Sequence, residues 1–392
     1  MKRVVDLFAG CGGLSLGFQD AGYEIVAAYE IWDKAATTYE VNFDHPVYRE
    51  DLSDVDSAIR RVRSLNPDII IGGPPCQDFS HAGKRVEDKR AALTEAFAKI
   101  VTAIDPRWFV MENVDRAQKS ASYQTARSIL KNAGYGLTEV ILNAAQCGVP
   151  QRRKRFFCFG AHGADDGFLQ EYINSNLSER EMTLRDYFGQ SLDFEYYYRH
   201  PRNYSRRAIY SIDEPSATIR GVNRPVPQGY PGHHLDAKEL DSTIRPLTTL
   251  ERALVQTFPP NFKWYGTKTD VELMVGNAVP VRLAEFVASA LTHHIQNNIC
   301  TYSYGVSMVS EPFIEWLRSN QTMSERTQRD TVSRLKRADA ICPLPSDPEP
   351  FYFFSLEQSE DYKTLSPAVR SQLKRAVSLY SDYRRAGYSS NG

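Results

Sequence analysis

The sequence predicts an α/β fold built around a mainly parallel sheet. Over the first 165 residues, short apolar runs alternate with amphipathic stretches, and this alternation is typical of βαβ units. Several apolar runs end in glycine, proline or an acidic residue. Because the carboxyl ends of parallel strands meet at one edge of a sheet, the groups that follow these runs are expected to lie together there.

Composition narrows the class of protein. The 392 residues suffice for two or three domains, and 42% apolar with 24% charged residues is ordinary for a soluble protein. No apolar run is as long as a membrane span, and Met1-Lys2-Arg3 leads into a predicted strand rather than a signal peptide. The six cysteines include no CxxC pair, which argues against a zinc site or a disulfide framework. With a formal net charge of −1, a nucleic-acid partner would need a local basic patch.

The first elements surround a glycine-rich turn. A strand at 4–8, the turn at 9–13 and a helix at 14–21 are followed by a strand at 24–29 that ends in Glu30. The glycine spacing is not G-x-G-x-x-G, so the dinucleotide fingerprint is not met. Glu30 could accept the ribose hydroxyls of an adenosine-containing ligand, or it could be a solvated charge.

A short apolar strand at 69–71 ends in Gly72-Gly73-Pro74-Pro75-Cys76. It follows a helix at 32–42, a short strand at Val47 that leads to Asp51, and a helix at 58–65. We expect a polar loop from Cys76 to about Arg90 and a helix at 92–104. Cys76 could be a packing thiol or a nucleophile on a stiff loop, since proline and glycine fix the backbone beside it.

The next strand, at 108–111, ends in Glu112 and delivers an acidic group to the same edge. A helix at 121–133 and strands at 137–142 and 156–159 follow, with a cationic turn at 148–155 between the two strands. That turn could be simply solvated.

From about residue 165 helical periodicity fades, and arginines mix with aromatic residues. The segment 199–207 and the loop that carries Arg220 and Arg224 have the residue types that contact phosphates and base edges, although a merely polar surface has the same composition. Helices are predicted at 247–258, with Thr248 or Thr249 as N-cap, and at 281–296.

Residues 301–392 form a further region with 12 Lys+Arg against 11 Asp+Glu. We predict a helix starting near residue 312, a second at 324–340 capped by Ser324, a strand-like run at 351–354 and a last helix at 366–385. The cations crowded at 326–337 suggest an extra DNA-contacting module, and a partner-docking domain or a stability cap are the alternatives.

Five segments occur in the order of the motifs of the DNA (cytosine-5) methyltransferase family, which the chain resembles over about residues 1–296. They are Asp6-Leu7-Phe8-Ala9-Gly10-Cys11-Gly12-Gly13, Gly72-Gly73-Pro74-Pro75-Cys76-Gln77-x-Phe79-Ser80, Glu112-Asn113-Val114, Gln151-x-Arg153-x-Arg155 and Gly276-Asn277-Ala278-Val279-Pro280. The segment 245–259 also resembles the family's motif before the last one. The resemblance implies a Rossmann-like S-adenosylmethionine-dependent methyltransferase fold. A catalytic domain at 1–165 plus 270–298 would carry a smaller target-recognition domain at 166–269, and a helical extension would occupy 301–392.

The resemblance implies a reaction that uses these residue types. Cys76 would add to carbon 6 of cytosine, because a thiolate is a strong nucleophile near neutral pH. Glu112 at raised pKa would protonate N3, and Arg153 and Arg155 would hold the O2 side of the ring. The methyl group would come from S-adenosyl-L-methionine and leave S-adenosyl-L-homocysteine. The target base would be flipped out of the duplex.

The remaining site residues are also implied by the resemblance. The cofactor contacts would be Phe8, Gly10, Gly12, Leu14, Glu30, Ile31, Asp51, Leu52, Pro75, Leu93, Asn277 and Val279. The DNA contacts would be Gln77, Ser80, Arg85, Thr218, Arg220 and Arg224. No metal is implied. Duplex DNA would be the partner of a monomeric cytoplasmic enzyme, and a cognate restriction endonuclease is a family association.

Three rival functions use the same features. A tRNA cytosine-5 methyltransferase could share the scaffold, but the long arginine-rich insert, at about residues 165–265, favours a reader of duplex DNA. A non-catalytic DNA-binding regulator is disfavoured by the presence of Cys76, Glu112 and Arg153 in one chain. A nicotinamide dehydrogenase is disfavoured by the missing glycine fingerprint.

Overall fold

The structure is a computed structural model that describes residues 2–75, 84–201, 203, 205–298, 313–319, 323–341, 353, 356, 357 and 359–385. The side chains of residues 84–91, 297, 298, 340, 360, 384 and 385 fall outside that description. The chain divides into two compact units, residues 1–292 and 293–392.

A seven-stranded sheet in the order β3-β2-β1-β4-β5-β8-β6 forms the centre of the first unit. The five strands from β3 to β5 are parallel, whereas β8 runs antiparallel to both of its neighbours. The predicted mainly parallel sheet is therefore confirmed, with one reversed strand. Its strands are β1 Arg3–Leu7, β2 Glu24–Tyr29, β3 Val47–Tyr48, β4 Ile69–Gly72, β5 Trp108–Val114, β6 Tyr135–Asn143 and β8 Lys154–His162.

Helices connect and cover these strands. They are α1 Gly13–Asp20, α2 Asp33–Glu40, α3 Val55–Ser64, α4 Lys84–Ile104, α5 Ala121–Asn132, α6 Gln170–Asn176, α7 Leu184–Phe188, α8 Thr249–Val255, α9 Lys268–Asn277 and α10 Val281–Asn298. Side-chain oxygens cap several helix starts, because the first amides of a helix lack a partner within it. Thr248, one of the two predicted N-caps of α8, accepts from the backbone N–H of Glu251.

Among the described residues of this unit, two large apolar clusters stabilise the fold, and a smaller one lies around Tyr198 and Ile209. In one, α3, α4 and α5 pack on the sheet through Val62, Phe97 and Leu130, against strand residues such as Ile70 and Phe109. The other brings side chains of α2, α8 and α9 together with residues of the insert; it includes Tyr39, Tyr197, Ile219, Phe258 and Met274. The insert therefore shares a core with the sheet side of the unit.

The insert forms two small two-stranded sheets, one within itself and one with the segment before β8. The antiparallel pair β9 Tyr196–Tyr198 and β10 Ile209–Ser211 lies within the insert. The short strand β11 Ser216–Ala217 pairs in parallel with β7 Gln151–Arg152, the segment just before β8. This pairing brings the loop at 218–221 to the carboxyl edge of the sheet.

Two sequence predictions were wrong in this unit. The predicted polar loop up to Arg90 is too long, because α4 begins at Lys84. Residues 84–91 are rich in Lys, Arg, Glu and Ala, which favour a helix even without an apolar stripe. Helix α9 was not predicted, although Thr267 and Asp270 form a capping box at its start.

The second unit is helical among its described residues. It contains α11 at 313–319, α12 Glu325–Ile341, α13 Glu360–Lys363 and α14 Pro367–Arg385. The hydroxyl of Ser324, the predicted cap of α12, accepts from the N–H of Thr327 at 3.3 Å. Phe353 is helical, so the strand predicted at 351–354 is wrong at this position, and its other three residues lie outside the described part.

Among the described residues, one stretch is long and apolar enough to resemble a membrane span, Lys268–Gln296. It consists of α9 and most of α10, and the greater part of it is buried inside the protein, as in an ordinary core helix.

Candidate functional site

The turn between β1 and α1 has an unusual backbone. Phe8 adopts φ 62° and Gly10 φ 57°, both in the left-handed region. A non-glycine residue is rarely found there, and such strain is concentrated at ligand-binding turns. The N–H of Gly10 donates to Oε2 of Glu30 at 2.8 Å, so the end of β2 holds this turn in place.

Glu30 is the central acidic group at this end of the sheet. Its other oxygen, Oε1, accepts from the N–H of Trp32 at 2.7 Å. Burial raises the pKa of the Glu30 carboxyl, and the backbone hydrogen bonds from Trp32 and Gly10 oppose that rise. Each oxygen has a further lone pair, so the carboxylate can also accept hydrogen bonds from a ligand.

The loop after β4 packs directly against the end of β5. A Cβ at Gly73 would lie 3.0 Å from Oε2 of Glu112, so the glycine allows this carboxyl to approach the loop backbone. The side-chain amide of Asn113 donates to the carbonyl of Pro74 at 2.9 Å. The backbone that leads into Cys76 therefore packs against the end of β5 at Gly73 and is hydrogen-bonded to it at Pro74.

Glu112 and Arg155 form a buried ion pair. Nε of Arg155 lies 2.9 Å from Oε1 of Glu112, and the two side chains are 13% and 11% exposed. Because β8 runs antiparallel to β5, it starts where β5 ends, and Phe157 pairs with Glu112. Arg155 lies two residues from Phe157 on the same face, within reach of the carboxyl. Burial raises the pKa of Glu112, and the charges of Arg155 and Arg153 oppose the rise.

These elements enclose a cavity of about 650 Å³ at the carboxyl edge of the sheet. Eleven of the twelve predicted cofactor contacts line it: Phe8, Gly10, Leu14, Glu30, Ile31, Asp51, Leu52, Pro75, Leu93, Asn277 and Val279. Glu112 and Arg155 line the same cavity. One space therefore adjoins both the group of predicted cofactor residues and the buried acid.

Gly12 is the one predicted cofactor contact that does not line the cavity, and it stays a prediction. A Cβ there would meet the ring of Phe43 at 2.4 Å. Its φ of 97° and the packing of that ring explain why the position needs glycine. Four other predicted residues cannot be located: Cys76, Gln77 and Ser80 lie outside the described residues, and the side chain of Arg85 does too.

Arg153 does not line the cavity, in contrast to the predicted contact with the ring of the base. Its side chain is buried and donates to the carbonyls of Ile219 at 2.8 Å, Gly276 at 2.7 Å and Ala278 at 3.1 Å. The alternation of an extended backbone explains the pattern, since Arg153 points inward while its neighbours Arg152 and Lys154 are exposed.

Gln151 and Gln256 complete this buried junction, which we define as Gln151, Arg153 and Gln256. Nε2 of Gln151 donates to Oε1 of Gln256 at 2.7 Å, and Oε1 of Gln151 accepts from the N–H of Ile219 at 2.8 Å. Nε2 of Gln256 donates to the carbonyls of Val275, at 2.5 Å, and of Ala278. The junction thus joins the insert loop to the segment that carries Asn277 and Val279.

The close approach of these two segments also depends on glycine. A Cβ at Gly276 would lie 2.1 Å from the backbone nitrogen of Gly221. Arg252, which is buried and ion-paired with Glu272 at 3.4 Å, donates to the carbonyl of Arg220. The backbone at Arg220 and Gly221, beside the predicted base-contacting residues, is therefore held by buried groups of the protein.

The predicted DNA contacts of the insert lie around His200. The charges of Arg224 and Arg220 both lower the pKa of His200, after the larger effect of burial. Arg220 donates to the carbonyl of His200, and Arg224 is exposed. The hydroxyl of Thr218 donates to the carbonyl of Arg152 at 2.7 Å. The structure brings these residues to one side of the insert.

Sequence reasoning missed some cavity residues, namely Trp32, Glu50, Asn113, Met274 and Ala278. Trp32 and Asn113 directly follow predicted site residues, so their position in the motif was a usable signal. The described cysteines are poor candidates for a nucleophile, because burial raises the pKa of Cys11, Cys147 and Cys158 to about 12 each.

We expect Arg153→Lys to weaken both folding and cofactor binding. An ammonium group cannot reproduce the planar guanidinium that serves three carbonyls, and each lost hydrogen bond from a charged group costs about 1.5–3 kcal/mol. The free energy of unfolding should fall by about 3 kcal/mol, measured by denaturant titration. The dissociation constant for S-adenosylmethionine should rise roughly tenfold, as about 1.4 kcal/mol implies.

The matched control is Arg152→Lys, since Arg152 is its exposed neighbour and pairs with Glu181 at the surface. This control should change either quantity by little. Equal effects of the two substitutions would contradict the role of the junction.

The sequence of residues 2–293 matches the family model for C-5 cytosine-specific DNA methylase. The chain is 55% identical to the Type II methyltransferase M.HindV of Haemophilus influenzae over 291 residues, which cover 74% of this chain and 96% of that protein. It is 54% identical to the Type II methyltransferase M.HgiDI of Herpetosiphon aurantiacus over 294 residues, which cover 75% and 95%.

Among solved structures, the S. pombe Dnmt2 methyltransferase is similar with a TM-score of 0.56 at 19% identity, over 75% of this chain and 99% of that chain. A likeness at this identity supports the fold alone, a Rossmann-like methyltransferase fold. The family match and the two high-identity relatives support the activity, and the chain therefore belongs to the C-5 cytosine-specific DNA methylases and is a DNA (cytosine-5) methyltransferase.

Proposed function

We propose that this enzyme methylates one cytosine within a specific duplex DNA sequence, after flipping that base into the cavity beside Glu112. The observation that carries the proposal is that the buried Glu112–Arg155 pair lines the same cavity as Glu30 and the turn after β1. A proton donor for the ring and a binding site for the methyl donor would then adjoin one space. Cys76 follows directly on the cavity residue Pro75 along the chain.

The cavity suits S-adenosylmethionine as methyl donor. Its wall combines an apolar side chain after each of β1, β2 and β3 (Phe8, Ile31 and Leu52) with the partly satisfied carboxylate of Glu30. Such a carboxylate can accept the ribose hydroxyls, and the apolar side chains can enclose the adenine. When bound, the cofactor supplies an electrophilic methyl group. The chain itself supplies the acid, the nucleophile and the walls that exclude water.

The chemistry of the base would follow from these groups. The Cys76 thiolate forms a bond to carbon 6, and the electrons of the C5–C6 double bond move towards N3, which takes the proton of Glu112. Carbon 5 becomes nucleophilic and accepts the methyl group. Solvent water takes the proton from carbon 5, the electrons of that C–H bond restore the C5–C6 double bond and expel the Cys76 thiolate, and N3 returns its proton to Glu112.

Glu112 fits the role of the acid for a physical reason. Burial raises the pKa of its carboxyl, so the protonated form persists to higher pH than in a solvated glutamate. Arg155 limits that rise and, in the reaction, would face the O2 side of the ring. Arg153 would act as a positioning residue, since its guanidinium binds three backbone carbonyls.

The insert would recognise the DNA. Arg220, Arg224 and Thr218 lie at its surface around His200, and arginine is the side chain that most often reads guanine in the major groove. A base inside a duplex cannot reach a buried carboxyl, so the target cytosine must leave the stack. We assign Gln77, Ser80 and Arg85, which follow Cys76 in the sequence, to contacts with that DNA.

The biological setting is proposed from the relatives, both of which are named Type II methyltransferases. We assign the chain to modification of host DNA in a restriction-modification system, as a monomer in the bacterial cytoplasm with a cognate endonuclease. The domain limits 1–165 plus 270–298, 166–269 and 301–392 belong to this proposal.

The test of the function is methyl transfer from labelled cofactor to duplex DNA and, separately, to tRNA. We expect label in duplex DNA only, and Cys76→Ser should reduce transfer to background while the dissociation constant for DNA stays within about twofold. Cys147→Ala, at a buried cysteine away from the cavity, is the control and should retain transfer. Label in tRNA alone would refute the proposed substrate, and full activity of Cys76→Ser would refute the mechanism.

The role of Glu112 predicts a specific pH dependence. Activity needs a protonated Glu112 and a thiolate, so the rate of transfer should rise and then fall with pH. Glu112→Gln cannot give up a proton; we expect a loss of about 10²–10⁴-fold and a residual rate that rises with pH to a plateau, without the alkaline decline. Measuring single-turnover rates from acid to alkaline pH checks this.

Glu139→Gln is the matched control, because Glu139 also lies on a strand of the sheet and pairs with an arginine, Arg127 of α5, but it lies outside the cavity. Its profile should follow that of the native enzyme. An alkaline decline that persists in Glu112→Gln would assign the decline to another group.

A further inference from the structure

The second unit presents a basic surface on α12. Arg326, Arg329, Lys336 and Arg337, which we call the basic face, are all exposed. They recur at intervals of three, seven and one residues, and this spacing places them on one side of a helix together with Ser333. From Arg326 to Arg337, a distance of eleven residue steps, the helix rises by about 17 Å.

The residues of α12 that pack in the core of the second unit lie on the opposite side of the helix from the basic face. Val332, Leu335 and Ala338 are buried, and they share an apolar cluster with side chains of α11 and α14 such as Trp316 and Tyr380. The core of the unit is therefore formed by the side opposite the basic face. Removing charge from the exposed side leaves that core intact.

Neighbouring acids do little to neutralise the basic face. Arg329 lies 3.5 Å from Glu325, and both side chains are about three-quarters exposed, so the pair contributes little. Within the described part of the chain, Arg326, Lys336 and Arg337 have no ion-pair partner. Asp330 is the other exposed acid of α12, and Arg334 adds a half-exposed cation.

This unit lies beyond the part of the chain that the family model matches. The family match ends at residue 293, and the Haemophilus relative is matched over 96% of its own length by 291 residues of this chain. The basic face therefore adds to a catalytic unit that is already as long as that relative. A role outside the chemistry of the base follows from this position.

We propose that the basic face of α12 binds the phosphate backbone of duplex DNA without reading its sequence. Guanidinium groups match phosphate geometry, and hydroxyls such as that of Ser333 are also common phosphate contacts. A helix length of about 17 Å corresponds to roughly ten phosphates along the duplex axis. The inference rests on the proposal that duplex DNA is the substrate, and it gives the enzyme a second, sequence-independent hold on that DNA.

The test compares salt dependence of binding in the full-length protein. The variant R326Q/R329Q/K336Q/R337Q removes four charges from an exposed surface. Its affinity for a non-cognate duplex is measured by fluorescence anisotropy across a series of salt concentrations. We expect the slope of log affinity against log salt to become shallower by about 3 to 4, since each phosphate contact contributes about 0.9.

The charge-conserving variant R326K/R329K/K336R/R337K is the matched control, and it should keep the native slope. Both variants should unfold at the native temperature and methylate a short cognate duplex at the native single-turnover rate. An unchanged slope in the glutamine variant would overturn the proposal and leave another partner, such as an acidic protein, for this face. Because methylation of the cognate duplex is scored separately, that result is distinguishable from a failure of the proposed function.

Discussion

The ion pair between Glu112 and Arg155 is the interaction on which the site depends. A carboxyl buried this deeply is costly to ionise unless a cation lies beside it, and Arg155 provides that cation at 2.9 Å. The pair exists because β8 is reversed relative to β5, so that the start of one strand meets the end of the other. A sheet with all its strands parallel would place the start of β8 at the opposite edge. The reversed strand therefore shapes the candidate site as well as the sheet.

Residues 151–155 contribute to both the cavity and the buried junction, because side chains along an extended backbone alternate in direction. Gln151, Arg153 and Arg155 occupy every second position, and their side chains turn inward. Arg152 and Lys154, which lie between them, face solvent. Arg155 lines the cavity, whereas Gln151 and Arg153 bind the insert loop and the segment after α9. The loop with Arg220 and the wall with Asn277 consequently share one set of buried hydrogen bonds. This arrangement gives a physical route by which the proposed DNA contacts and the proposed cofactor contacts can depend on each other.

Much of this site could be predicted from local signals. Strand ends, glycine turns and the order of the motifs led to the cavity residues Glu30, Glu112 and Asn277 without any structure. Two features that the sequence did not show depend on contacts between distant parts of the chain. Gly12 is required by the ring of Phe43, and the task of Arg153 is decided by carbonyls more than sixty residues away in the sequence. The early start of α4 was missed for a different reason. Its first turns are helical by propensity and show no apolar stripe.

The central claim is that the cavity beside Glu112 holds a base attached to the loop after β4. The most direct measurement is mass spectrometry of the enzyme after reaction with a duplex that carries 5-fluorocytosine at the target position. Fluorine replaces the proton that must leave carbon 5, so the nucleophile should remain bonded to carbon 6 of the methylated base. We expect a covalent adduct on the peptide that contains Cys76. An adduct on a different residue, or methylated base released without any adduct, would contradict it.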